Sequence, residues 1–384
     1  MRKPASTTVL LIVNVFVNLG TYLFMPLLAL SLLDRGFTKA QAGTVAGLMF
    51  GTGLLCAVWL GQWGARFGSR FLAVGGAALR SAALVVFLFP APYWLCLMGA
   101  GATSIGATAA VLGIKSELFR TSRTRKMITL RLLAANIGAL LGPALGALLF
   151  LVLPFAHLVA LTMAIYAALA VLLCFLPFQP PEQQTQTARG SFLATLRGVD
   201  RPFALLLAAV FAFNLIMAQW SLTLPVFATA GFGHESASSW MMALSGFLII
   251  CLQYLALTKW LAHLPTLRII RDGFCLLIPA GALLALPPGM AAALAFVVLL
   301  TLGELLVMPS LDELTTALRS ADITRALGLS GTVIGLGLIV GSSFGGWLMD
   351  RFGLPAMALW TMAAALSGIV AARALGQYLP PGKV

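Results

Sequence analysis

Charge is scarce in this chain. Asp, Glu, Lys and Arg make up 9% of its 384 residues, against 60% hydrophobic residues. So little charge cannot cover the surface of a water-soluble globule. Acid is the scarcer sign, with 11 Asp and Glu against 24 Lys and Arg, for a formal net charge of +13. Histidine is limited to His157, His234 and His263, with no His-Glu-x-x-His pair, so the zinc-hydrolase signature is missing. Cysteine is limited to Cys56, Cys96, Cys174, Cys251 and Cys275, widely spaced and without Cys-x-x-Cys, which reads as small core residues and not as a disulfide frame or metal site. There is no Gly-x4-Gly-Lys-Ser/Thr phosphate loop to drive work directly with ATP. These absences point away from an enzyme and call for no cofactor and no metal.

Long apolar runs are what the chain has instead. Runs of about 20 apolar residues match a bilayer core of roughly 30 Å. Twelve are read, at 7–33, 41–63, 71–89, 93–115, 128–153 and 155–177, then 202–228, 237–260, 267–286, 290–313, 324–348 and 354–376. Pro90 and Pro92, Pro154, and Pro287-Pro288-Gly289 punctuate them. The first run is too long for the apolar region of a cleaved signal peptide and is read as a span. The expected fold is therefore an all-α membrane protein, with twelve transmembrane helices in two pseudo-symmetric six-helix bundles around a central cavity. Residues 1–177 would form the first bundle, 178–201 a polar cytoplasmic linker with a short amphipathic helix near 191–198, and 202–384 the second. A repeat at an offset of 199 residues supports the pairing of halves: Pro26 with Pro225, Gly47 with Gly246, Gly138 with Gly337, Gly142 with Gly341, and Gly146 with Gly345. Parallel repeats of this kind build the midplane site of one large transporter class. With the N-terminus inside, only Arg35, Lys39 and Arg351 among the basic residues face out, and Arg80 and Arg131 fall within spans. That bias explains the net charge through topology and lipid headgroups, without nucleic acid. It predicts a multi-pass protein of the bacterial inner membrane with both termini cytoplasmic.

Three motifs carry a family resemblance. Gly61-Gln62-Trp63-Gly64-Ala65-Arg66-Phe67-Gly68-Ser69-Arg70, between spans 2 and 3, resembles the major facilitator superfamily signature G-x-L-a-D-r-x-G-r-k through Gly61, Arg66, Gly68 and Arg70. It departs from that signature at Ala65, where the family has an Asp that helps latch the two halves on the cytoplasmic side. Gly346-Trp347-Leu348-Met349-Asp350-Arg351-Phe352-Gly353 echoes the signature at the outer end of span 11 and supplies the missing acid as Asp350, beside Arg351. Gly138-x3-Gly142-Pro143-x2-Gly146 in span 5 is similar to the antiporter motif of the drug:proton exporters; glycines four apart make a smooth stripe for close helix packing. Gly303-Glu304-x4-Pro309, Trp240-Met241, Tyr254 and the basic segment Arg268–Arg271 extend the likeness to the twelve-span drug:proton antiporter branch. The resemblance implies alternating access by two bundles, proton-driven efflux, a small-molecule substrate and a monomer. It also implies a buried acid in span 1 or an Arg in span 4, and this chain has neither.

Ionisable groups inside a bilayer cost several kcal/mol and usually face a cavity or a partner. Glu304 is the one carboxylate read as well inside a span, which makes it the proton-coupling candidate: one site for two competing cations, proton and substrate. Arg80 is a candidate for substrate contact or for structural pairing. Asn14, Asn18 and Tyr22 recur every four residues on one face of span 1. Asn214, Gln219 and Ser221 form a looser set in span 7, and Phe24, Trp220 and Phe227 offer apolar walls. Three readings remain open at this level: a proton-coupled exporter of drugs or amphipathic molecules; a dedicated exporter of a metabolite such as a siderophore, or an uptake system; and a non-transporting receptor on the same scaffold.

Overall fold

A computed structural model describes residues 7–121, 125–179, 199–255, 263–319 and 323–378. Most of the linker and the segment expected to be amphipathic near 191–198 lie outside these residues. The described residues are helical, without strands. In a bilayer every backbone N–H and C=O must be satisfied within the chain, and helices do this locally.

The helices are α1 (Thr7–Tyr22), α2 (Met25–Asp34), α3 (Lys39–Leu55), α4 (Ala57–Phe67), α5 (Ser69–Ala83), α6 (Tyr93–Thr121), α7 (Arg125–Phe150) and α8 (Phe155–Phe175). They continue as α9 (Arg201–Met217), α10 (Thr223–Phe232), α11 (Ser236–Leu255), α12 (Thr266–Leu283), α13 (Met290–Leu318), α14 (Ile323–Phe352) and α15 (Pro355–Gly376). Among the described residues, ten helical stretches are long and apolar enough to cross a membrane. The pair α3 and α4, bent by 48° at Cys56, makes up to eleven. The ninth expected span, 267–286, is α12, a helix that carries three charged residues, Arg268, Arg271 and Asp272, among its first seven. The segment Arg268–Arg271 is thus the start of a helix, where Arg271 Nη2 and Arg268 Nε lie 2.8 and 3.7 Å from Asp272.

The repeat at offset 199 has a packing counterpart. Spans 1 and 7 both break before their last third, after Tyr22 and again at the 3-10 turn Ala218–Trp220, and Pro26 and Pro225 sit just past the breaks. A side chain at Gly138 or Gly142 would strike the α1 backbone at Val15 or Leu19, and one at Gly146 the Leu23 carbonyl just past α1. Gly337 and Gly341 lie in the same way against α9, at Phe211 and Leu215. Gly47 packs on Ile339 of α14, and its counterpart Gly246 on Leu140 of α7. Close backbone approach is the basis of such contacts where lipid removes any hydrophobic drive between helices. Pro143 is accommodated inside α7. Outward, Phe16, Leu148, Val152, Leu359 and Val370 are exposed, the apolar coat that a bilayer requires. A literal Gly-x-Ser-x-Gly string, Gly341–Gly345, lies mid-helix in α14, not at the strand-to-helix turn of a hydrolase nucleophile.

Candidate functional site: a cavity with two carboxylates

The two ends of the bundle are distinguished by the chain itself. Thr7 and Gly376 mark the terminal end; Lys39 and Asp350 lie at the opposite end. At the opposite end α14 runs antiparallel to α3 with glycines at the seam. A Cβ at Gly51 would sit 2.5 Å from the Gly335 carbonyl, and those at Gly43 and Gly346 would overlap the Ser342 and Lys39 carbonyls. The Asp350 carboxylate then accepts the backbone N–H groups of Lys39 (3.0 Å) and Ala40 (2.8 Å). Thr38 and Gln41 satisfy the next donors in a reciprocal capping box. Asp350 is a side chain of α14 bound to the N-terminus of α3, where the helix dipole favours negative charge. Ser238 of α11 adds a hydrogen bond to the Pro26 carbonyl, 3.1 Å. The opposite end is thereby drawn together. Arg351 is exposed beside this latch.

Among the described residues, the motif between α4 and α5 makes no comparable carboxylate contact. Gly68 makes the turn with φ 91°, a conformation that favours glycine. Gly61 faces open space, Arg66 is exposed over the Phe67 ring (5.1 Å), and Arg70 donates to the Cys174 carbonyl.

Between the ends lies a cavity of about 380 Å³. Its wall is mostly apolar and aromatic, with Phe50, Phe213, Trp220, Met242 and Met308 among its residues. Glu304 and Asp312 both line it, and among the described residues no Lys or Arg does. Glu304, Met308 and Asp312 are four residues apart on α13, so one helix face supplies all three, with the carboxylates about 12 Å apart along the axis. Asp312 is the nearer of the two to the terminal end. The Trp220 indole lies within hydrogen-bonding reach of Glu304, and Tyr22 is within electrostatic reach of both Glu304 and Arg80. Lys115 of α6 stands off the wall but within electrostatic reach of Asp312.

Of the polar residues expected at the cavity, Tyr22, Asn214, Ser221 and Glu304 line it. Asn214 also donates to Val210 O, and Ser221 shares a 2.8 Å hydrogen bond with Ser342. Asn14, Asn18, Arg80 and Gln219 stand off the wall. Asn14 holds the Arg131 carbonyl (3.0 Å), Asn18 holds Asn14 O (2.8 Å), and Gln219 donates to Thr361. These amides are used between and within helices, because a polar group inside a bundle takes the first partner its neighbours offer. Arg80, 2% exposed, lies over the Tyr166 ring at 4.6 Å, while Tyr166 donates to Val17 O (2.6 Å). Phe24 and Phe227 are core residues, packed on Phe155 and Phe296.

Two acids escape the sequence reading. Asp312 falls at the expected end of span 10, but α13 continues to Leu318 and carries it along the cavity wall. Glu117 falls beyond the expected end of span 4, yet α6 runs to Thr121 and buries it completely, where it accepts from Ser69 Oγ and the Gln179 backbone N–H, both at 2.9 Å. Glu304 is therefore not a lone acid: Asp312 shares its cavity wall, and Glu117 is buried in α6. The i, i+4, i+8 spacing of Glu304, Met308 and Asp312 was the available signal.

Comparison with known proteins agrees with this architecture. The multidrug resistance protein MdtH of Escherichia coli (strain K12 / DH10B) is 25% identical over 355 residues, covering 89% of this chain and 86% of that protein. MdtH of Shigella boydii serotype 18 (strain CDC 3083-94 / BS512) matches to the same extent. Among solved structures, the POT family transporter PepTSo superposes with a TM-score of 0.80 at 14% identity, covering 98% of each chain. A mutant of the nucleoside transporter NupG superposes at 0.78 and 14% identity, over 98% of this chain and 100% of that one. At such identities these structures establish the fold alone. Residues 10–319 match the family profile described as Major Facilitator Superfamily, and the chain, a multi-pass helical membrane protein built as that family is, belongs to it.

Proposed function

We propose that this protein is a proton-coupled exporter of amphipathic, cationic small molecules that works by alternating access. The observation that carries this reading is the cavity wall: apolar and aromatic surface with two carboxylates, Glu304 and Asp312, and no basic side chain among the described residues. Such a wall attracts a lipophilic cation, and Lys115 stands off it, within reach of Asp312, which disfavours a siderophore-like or other anionic cargo. The 25% identity to MdtH, whose name is that of a multidrug resistance protein, supports the same class.

In this reading residues 1–177 and 202–384 are halves that rock about the cavity, and the terminal end is cytoplasmic. The molecule loads from the cytoplasm while the Asp350 latch holds the outer end shut. Substrate and proton compete for Glu304: a proton arriving from outside releases the cation, and loss of that proton inside readies the site. Asp312, nearer the cytoplasmic end, receives the cation first. The protein works as a monomer in the bacterial inner membrane.

The test is transport in proteoliposomes under an imposed pH gradient, with cationic dyes, zwitterions and anionic metallophores, comparing wild type with Glu304→Gln. Gradient-driven movement of the cations, lost in the variant, is the expected result. Undiminished gradient-driven transport by the variant removes Glu304 from the mechanism, and preferential movement of anions refutes the substrate class.

A further inference from the structure

From Ala40 to Leu79 the chain holds only two charged residues, Arg66 and Arg70. Both lie at the terminal end of the bent segment α4 and the start of α5, and both are exposed. The same surface carries Trp59, Trp63, Phe67 and Phe71, which are 48%, 52%, 50% and 51% exposed. Trp59, Trp63 and Phe67 are four residues apart and so share one face of α4. The Phe67 ring meets Phe71 across the Gly68 turn at 5.1 Å, and the Arg66 guanidinium lies 5.1 Å from the Phe67 centroid. The result is an exposed aromatic face with the Arg66 guanidinium on its last ring, and Arg70, which also donates to the Cys174 carbonyl, four residues further on. The 48° bend at Cys56 sets this face at an angle to the rest of span 2.

We infer that this face is a binding site for an anionic diacyl phospholipid, with the phosphodiester held by Arg66 and Arg70 and an acyl chain laid along Trp59, Trp63 and Phe67. Charge complementarity carries the assignment. Tryptophan is favoured at the headgroup level, and guanidinium is the side chain best matched to a phosphodiester oxygen pair. The nearby carboxylate does not oppose it: Glu117 is fully buried and engaged by Ser69 and the Gln179 backbone. Ala65, which replaces the acid of the family signature, is itself exposed between Trp63 and Phe67. An Asp there would stand beside the headgroup and repel it, so the substitution that removes a latch also leaves Arg66 and Arg70 without an acid in the motif itself. The site does not depend on the transport reading.

The full chain, purified in detergent, is titrated with phosphatidylglycerol or phosphatidylcholine and the bound lipid counted by native mass spectrometry. Phosphatidylglycerol retention exceeds that of phosphatidylcholine in the wild type, and it falls about fivefold for each of Arg66→Gln and Arg70→Gln, the loss expected per basic group at an anionic surface. Ala65→Asp, a change at an exposed position that keeps both arginines, lowers retention in the same direction and guards against misfolding of the arginine variants. Equal retention of the two lipids by wild type, or undiminished phosphatidylglycerol retention by the variants, overturns the proposal. So does full displacement of bound lipid by soluble glycerol phosphate, which would make this a free-phosphate site.

Discussion

Asp312 is the residue whose importance depends most on its place along a helix. It faces the cavity eight residues past Glu304, at the side from which cytoplasmic cargo enters in the proposed cycle. Asp312→Asn is expected to raise KM for monocationic substrates about tenfold, the equivalent of roughly 1.4 kcal/mol, with little change for uncharged ones. Initial-rate transport with a matched pair of charged and neutral dyes measures it, and an equal loss for both dyes would assign Asp312 a structural role. Arg80 shows the reverse case. It is charged and deep in a span, which draws attention in a sequence, but its guanidinium lies over Tyr166 and off the cavity wall. A cation packed on an aromatic face and shielded from lipid has a structural use that no spacing rule announces. Asn14, Asn18 and Gln219 belong with it, since their periodicity was legible and their partners were not.

Among the elements, the seam between α3 and α14 sets the balance of the two proposed states. Its glycines let backbone meet backbone, and Asp350 closes it by capping α3. Hydrogen bonds to a charged group contribute about 1.5–3 kcal/mol. Asp350→Asn keeps one acceptor and loses the charge, so it is expected to open the opposite end in a measurable fraction of molecules. Distances between spin labels at Phe89 and Phe352, in a cysteine-free background, report the change. A distance distribution identical to wild type would mean that the glycine seam alone holds the end shut. Gly346→Val is expected to act in the same direction and more strongly, because its side chain would occupy the place of the Lys39 carbonyl.

At the scale of the whole molecule, charge is arranged across the halves at the opposite end as well. Glu235, at the start of α11, is partly buried and faces Asp34 at the end of α2. Burial first, and the like charge of Asp34 second, raise the Glu235 pKa above its ordinary value. Glu235 therefore holds a proton more readily in this closed arrangement than it would in open water, so acid on that side should stabilise the arrangement and deprotonation as pH rises should loosen it. His234, exposed beside Glu235, and Arg35, which donates to the Phe87 and Phe89 carbonyls, are the other ionisable groups nearby in sequence. The same spin-label pair read across a pH series should show the closed population rising as pH falls. In Glu235→Gln that dependence should flatten at the closed level, and an unchanged pH profile in this variant would exclude Glu235 as its source.

Membrane residence, the approximate spans, the repeat and the family likeness followed from the sequence alone. They rest on composition, on the length of apolar runs and on Gly and Pro positions, all of which are local or periodic. The three-dimensional packing decided what depends on distant neighbours. It placed Asp312 beside Glu304 on one wall because α13 runs past its expected end, and turned Arg80 toward Tyr166. It also joined Asp350 to Lys39 and Ala40 across 310 residues of chain. Spacing along a helix gives the face a side chain shares, but only the neighbouring helix determines whether that face meets a cavity, a ring or a backbone N–H.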